Sequence, residues 1–293
     1  MKQMTIREAQ SRGIHLLSQT SPDQRGVNLD VRVLLMHVLG VESTTLYAYP
    51  ERMLTPEQQR QFLSLIERRQ RGEPVAYLVG HKEFYGLDFL VDARVLIPRP
   101  ETELLVETAL AGIRTRIAAG RLPIVADIGT GSGAIPITLA VEEPRLPFVY
   151  ACDISPDALD VARSNCQRHH VEARVRLLQG DLLEPLPEPV DILLANLPYV
   201  GTTETESLAP DVYAYEPHQA LFSGQYGLDL LQRFCKEARE FGTLKVGSII
   251  LLEIGYQQCQ PLTDLIKELW PQARVTCTQD YAGWDRLLQV NLL

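Results

Sequence analysis

Ile124-Val125-Ala126-Asp127-Ile128-Gly129-Thr130-Gly131-Ser132-Gly133-Ala134-Ile135 reads as an apolar strand, a glycine loop and the start of a helix. Glycines at such a junction let backbone N–H groups approach a ligand at a helix N-terminus. The spacing is G-x-G-x-G. A dinucleotide fingerprint starting at Gly131 requires glycine at position 136, and Pro136 stands there, so NAD is disfavoured. Alone, such a loop is an ordinary tight turn. A second apolar strand, Phe148 to Cys152, ends on Asp153. An acid about 20 residues beyond a glycine loop binds ribose hydroxyls in nucleotide folds. Loop and acid together favour a nucleoside site.

A third apolar strand, Asp191 to Ala195, stops on Asn196-Leu197-Pro198-Tyr199. Open α/β sheets bind ligands at the carboxyl edges of their strands. Asn196 offers an acceptor and a donor. Pro198 lacks an N–H and pushes residue 197 toward extended backbone. Tyr199 adds a flat apolar face with a polar tip. The group forms an acceptor-rich clamp for a planar group carrying N–H. By itself the tetrapeptide is equally a polar strand end followed by a turn.

The remaining segments alternate. Strands are expected over Ala173–Gln179, Ser248–Glu253, Ala273–Gln279 and Arg286–Leu292, and helices after Ser155-Pro156 and over Leu228–Phe241 and Gln258–Trp270. Gly180-Asp181-Leu182 follows the end of one strand, and Gly201 to Gly227 reads as a long loop. This alternation predicts a doubly wound, mostly parallel α/β sheet covered by helices on both faces.

The front of the chain differs. Thr5-Ile6-Arg7-Glu8 fits a capping box, Asn28 to Leu39 is apolar at helical spacing up to Gly40, and Thr55-Pro56-Glu57-Gln58 opens a further helix that stops near Gly72. Residues 1–75 are expected to form a small helical docking domain. Val75–Gly80 and Glu83–Val91 read as two β segments, making residues 76–95 a hairpin linker. The rest, 96–293, is the sheet domain. Between them, Leu96-Ile97-Pro98-Arg99-Pro100-Glu101-Thr102-Glu103 is a stiff loop running into a helix over Glu101–Ala118. Arg99 and Glu101 are either a solvated ion pair or part of the site's edge.

Composition narrows the function classes. The 293 residues are 45% hydrophobic and 22% charged, enough to bury a core. No apolar run has transmembrane length, and the first residues lack a signal-peptide stretch, so a cytoplasmic location is expected. The five cysteines include no C-x-x-C pair and are expected to be structural thiols; the six histidines form no H-E-x-x-H pattern, so no metal is expected. Net charge is −9; residues 1–75 carry ten Lys/Arg against eight Asp/Glu, which leaves −11 for the remainder. That opposes a broad grip on nucleic-acid backbone.

With these motifs in order, the chain resembles the release-factor glutamine N5-methyltransferase family (PrmC/HemK). The resemblance rests on Glu73–Gly80, Glu83–Leu87, Ile97–Glu103, Asp127–Gly133, Asn196–Tyr199, Tyr215-Glu216-Pro217 and Gly283-Trp284-Asp285-Arg286. It implies a seven-stranded methyltransferase sheet and S-adenosylmethionine as methyl donor. Gly129, Thr130, Gly131, Ser132 and Gly133 would wrap the methionine end, Asp153 would hold the ribose, and Asp181 and Leu182 would lie along the adenine. Asn196 would bridge donor and acceptor sides, with Leu197, Pro198 and Tyr199 on the acceptor side and Arg99 and Glu101 at its edge. The implied acceptor is the glutamine of the Gly-Gly-Gln motif of peptide-chain release factors, docked by the helical domain. Charge and hydropathy lead to an expectation of no nucleic-acid specificity and no membrane, and a monomer is the default state. The family's usual turn is Asn-Pro-Pro-Tyr; here Leu197 replaces the first proline.

Two rival readings follow from the same residues. An adenine-N6 methyltransferase acting on DNA or RNA would use the clamp on an exocyclic amine and would need a basic groove. A non-catalytic adaptor would keep only nucleoside binding, and Leu197 is the feature that favours it.

Overall fold

The computed structural model describes residues 3–20 and 23–293; Met1, Lys2, Ser21 and Pro22, within the expected helical front domain, lie outside them. The described residues form two compact units.

The first unit runs to His81 and also takes in Ala209–Tyr215. It holds α1 (Ile6–Leu17), α2 (Gln24–Leu39), α3 (Ser43–Ala48), α4 (Pro56–Gln70) and α5 (Val75–Val79). Both expected capping boxes form: Thr5 and Glu8 cap each other's backbone N–H groups, as do Thr55 and Gln58. Gly40 ends α2 in the left-handed region. Leu34, Leu35, Phe62 and Ile66 fill the core between the helices. Arg69 donates to Asp30 at 2.7 Å and lies 3.5 Å from Asp211, and the Tyr215 hydroxyl donates to the Arg71 carbonyl at 3.0 Å.

Val75–Val79 corrects one expectation: it is a helix, not a strand. Pro74 opens it, Gly80 closes it at φ +80°, and Leu78 is buried in the helical core. A short apolar run fits either state, and here the tertiary setting decides. The hairpin therefore begins later, as β1 (His81–Phe84) and β2 (Leu87–Leu90), turning through Tyr85 and Gly86 at φ +53° and +74°. Two positive φ values are what a two-residue hairpin turn requires.

The second unit spans Lys82–Leu208 and Glu216–Leu293. After β1 and β2, chain order is α6 (Glu103–Ala118), β3 (Val125–Ile128), α7 (Ala134–Glu142), β4 (Val149–Asp153), α8 (Pro156–Arg168), β5 (Val175–Gln179) and β6 (Val190–Ala195). Then come α9 (Pro210–Tyr215, counted in the first unit), α10 (Asp229–Glu240), β7 (Leu244–Glu253), α11 (Cys259–Leu269), β8 (Arg274–Gln279) and β9 (Asp285–Asn291). The expected long loop thus carries α9 and two short 3-10 turns, over Thr202–Ser207 and His218–Ala220.

Seven strands form one sheet in the order β5-β4-β3-β6-β7-β9-β8. β9 runs antiparallel to both neighbours, and the other pairings are parallel. Val125, Ile192 and Leu194 pack on one side with residues of α6 and α7; Ala126, Leu193 and Ala195 pack on the other with residues of α10 and α11. Burial on both faces explains the unbroken apolar runs. Strand order reverses between β3 and β6, and a ligand crevice opens at the carboxyl ends of such a pair.

Cys259 and Cys277 are paired as a disulfide, against the expectation of free structural thiols; Cys152, Cys166 and Cys235 are free and buried. Their meeting depends on α11 lying across β8, which spacing does not reveal. Among the described residues, no helix is long and apolar enough to cross a membrane.

Candidate functional site

Register builds the site. Ile128 pairs with Cys152 and with Ala195, and Ala195 pairs with Leu252. The next residue on each strand is Gly129, Asp153, Asn196 and Glu253, so four chain ends leave the sheet at one level. A cavity of about 390 Å³ opens there. That lies within the range of small-ligand sites, roughly 300–1,000 Å³.

The glycine loop supplies one wall. Gly129, Gly131 and Gly133 have φ of +77°, +54° and +79°, and a Cβ on Gly131 would stand in open space. The Asp153 carboxylate accepts from the Gly131 N–H at 2.8 Å and from the Ser155 N–H at 2.9 Å. Burial raises its pKa, and those backbone donors oppose the rise. Each of its oxygens retains acceptor capacity for a ligand hydroxyl.

Beneath the loop, Asp127 is fully buried and neither carboxylate oxygen has a hydrogen-bond partner among the described residues; the buried Thr130 hydroxyl is likewise unpartnered. Desolvation pushes the Asp127 carboxyl up to about 7, against a lowering by the nearby Thr130 hydroxyl, which falls short of hydrogen-bond geometry. Unsatisfied buried polar groups are costly and call for a ligand or water. The bare glycine backbone, the orphaned Thr130 hydroxyl and the ribose-ready acid line the cavity and fit S-adenosylmethionine; Asp127 lies behind them and does not line it.

The expected residues Gly129 to Ser132, Asp153, Asp181, Leu182, Asn196 to Pro198 and Arg99 line the cavity; Gly133, Tyr199 and Glu101 do not. Asp181 is paired with Arg233 of α10 at 2.6 Å, and Leu182 holds φ +44°. Leu197 is buried, its Cδ2 packed against Gly129. Gly133 starts α7. Glu101 is exposed on the 3-10 turn Pro100–Thr102.

Asn196 is held from one end. Its Nδ2 donates to Thr102 Oγ1 at 3.1 Å, and Thr102 Oγ1 donates to Glu253 Oε2 at 2.7 Å. Tyr199 Oη donates to Glu253 Oε1 at 3.1 Å. Burial raises the pKa of Glu253; the Thr102 and Tyr199 hydroxyls and Arg286 draw it back. Tyr199 is raised as well, by burial first and then by Glu253. The segment after Tyr199 is pinned too: Gln258 Nε2 donates to its carbonyl at 2.8 Å.

Thr102, Glu253 and Glu216 were missed as site residues. Glu216 is buried, pairs with Arg99 and accepts from the Ile97 N–H at 3.2 Å, which pins the proline-rich loop. Glu253 carries the signal used for Asn196, a polar group ending an apolar strand. Thr102 carries none, because its partners lie 94 and 151 residues away.

Residues 8–80 match the PrmC N-terminal domain family and residues 102–224 the methyltransferase small domain family. Among solved structures, the hMettl16 catalytic domain, crystallised with a MAT2A 3'UTR hairpin, is similar over 83% of each chain with a TM-score of 0.56 and 14% identity, a likeness of fold alone. The release factor glutamine methyltransferase of Bacillus anthracis is 38% identical over 87% of this chain and 89% of its own length. That of Koribacter versatilis is 40% identical over 97% of this chain and 98% of its own. Matched nearly end to end at that identity, the chain belongs to the release factor glutamine methyltransferase family.

Proposed function

We propose that the protein transfers a methyl group from S-adenosylmethionine to the side-chain amide nitrogen of the glutamine in the Gly-Gly-Gln motif of peptide-chain release factors. One observation carries the chemistry. Asn196 lines the cavity with its nitrogen committed to Thr102, and its Oδ1 accepts no hydrogen bond among the described residues. An acceptor oxygen at the switch point suits an incoming carboxamide N–H.

When bound, S-adenosylmethionine supplies a methyl carbon already activated by its sulfonium. The carboxamide nitrogen is a poor nucleophile, because its lone pair is delocalised into the carbonyl. The chain's residues must therefore position it and steady the charge it gains, with no strong base and no covalent intermediate. Asn196 Oδ1 and the Leu197 carbonyl accept the two amide N–H groups. Pro198 restricts residue 197 and removes a competing donor. Tyr199, which does not line the cavity, backs the clamp through its hydroxyl bond to Glu253. Gly129 to Ser132 and Asp153 would hold the donor, with Asp181 and Leu182 along its base. Arg99 and Glu101 border the acceptor's approach.

The helical unit, which includes α5 and α9, acts as the docking domain, and the sheet unit, whose core takes in Phe84 and Phe89 of the hairpin, as the transferase domain. The enzyme works as a monomer in the cytoplasm, where translation terminates. An adenine-N6 methyltransferase needs a basic groove, whereas the chain beyond residue 75 is net −11. Incubation with labelled S-adenosylmethionine tests the proposal. Label enters a release factor, is absent from its Gly-Gly-Glu variant, and is absent from adenine-containing oligonucleotides. Label in the oligonucleotides alone overturns the reading.

A further inference from the structure

We propose that Thr102 and Glu253 are positioning residues for this reaction: together they decide which end of the Asn196 carboxamide faces the acceptor. The inference rests on the function proposed above.

Proton count fixes the orientation. A threonine hydroxyl has one proton and two acceptor lone pairs; an ionised carboxylate only accepts. Thr102 Oγ1 lies 2.7 Å from Glu253 Oε2, so its proton goes to Glu253. Toward Asn196, 3.1 Å away, Thr102 can then only accept. The end of Asn196 turned to Thr102 must be the NH2 group, which leaves Oδ1 for the cavity. Reversal would put an NH2 group against the N–H groups of the acceptor amide, donor against donor.

Glu253 is arranged for this task. It is 2% exposed and takes hydroxyl protons at both oxygens, from Thr102 and from Tyr199. Arg286 on β9 faces it with positive charge, and Glu101 opposes with negative charge. Arg286 is itself held 3.3 Å from Asp280. One carboxylate thus fixes the residues on either side of Leu197-Pro198: Asn196 through Thr102, and Tyr199 directly. Two distant segments converge on it, at 102 and 196–199.

The test compares Thr102→Val, Thr102→Ser and wild type on an intact release factor. Valine keeps the shape and removes the hydroxyl; serine keeps the hydroxyl. The expected result is a fall in kcat of about tenfold for Thr102→Val, the scale of one lost hydrogen bond. KM for the release factor and the Kd for S-adenosylmethionine stay unchanged, and Thr102→Ser restores kcat. If the valine variant does not fold, Thr102→Ala carries the same expectation. Wild-type kcat in the variant lacking the hydroxyl overturns the inference, as does an equal loss in the serine variant. Wild-type enzyme that leaves the glutamine unmethylated overturns the proposed function instead, a separate outcome.

Discussion

Leu197 packs on the face of Gly129 so closely that a Cβ there would lie 2.9 Å from Leu197 Cδ2. The residue that replaces the family's usual proline therefore braces the glycine loop from below, while its backbone remains part of the clamp. Gly129→Ala meets that contact and also forces an L-residue to φ +77°. The left-handed region costs roughly 1–2 kcal/mol. The variant should bind S-adenosylmethionine more weakly, measured by calorimetry. Leu197→Ala should lower stability by about 2–5 kcal/mol, as deletions of buried leucine do. Its kcat at a temperature where it stays folded should change little, because the clamp uses the residue-197 carbonyl.

Arg99 is the side-chain partner of a buried carboxylate, Glu216, which is 1% exposed at its side chain. Breaking a buried pair by removing one member costs about 3–5 kcal/mol; Arg99 is itself about a third exposed, which places the cost at the lower end. Arg99→Ala should therefore lower the denaturation midpoint by an amount equivalent to ~3 kcal/mol or less. Arg99→Ala with Glu216→Gln should recover part of it. A double variant as unstable as the sum of the singles contradicts the pairing.

Asp127 gives a pH signature to the ligand-free protein. Burial lifts its folded pKa to about 7, above the unfolded value near 4. The folded state then holds a proton that the unfolded chain releases first. Its contribution is fully present below about pH 4, is lost as pH rises to about 7, and then levels off. The loss is on the order of 4 kcal/mol at most. Asp127→Asn removes the titration, so the variant's stability relative to wild type should climb between pH 4 and 7 and stay flat above. A constant difference across that range contradicts the assignment.

The disulfide between Cys259 and Cys277 closes a loop over 18 positions. A crosslink of that span is worth about 3 kcal/mol in the chain-entropy account. Thermal melting with and without reductant should show the reduced protein melting several degrees lower. The Cys277→Ser variant should melt with the reduced protein and no longer respond to reductant.

Much of this was written locally in the chain. The runs before Gly129, Asp153 and Asn196 announced strands because both faces of a parallel sheet are buried, and the capping residues at Thr5 and Thr55 announced helices. Val75–Val79 misled because five apolar residues carry no period, and packing on the helical core decided them. The disulfide escaped because it depends on where one helix lies on one strand. The clamp's residues were legible as a turn, but the support behind them was not. Glu253 reaches Thr102 and Tyr199 only through strand register, which a single sequence does not display.

Asn196 is the side chain on which transfer to the glutamine depends. Single-turnover methylation of a release factor by Asn196→Ala, at saturating S-adenosylmethionine, measures its contribution most directly. Removing one preorganised acceptor costs about 2.7–4 kcal/mol in transition-state binding, so the rate should fall by about 10²–10³-fold. A rate within a fewfold of wild type would contradict the claim that this side chain holds the glutamine amide.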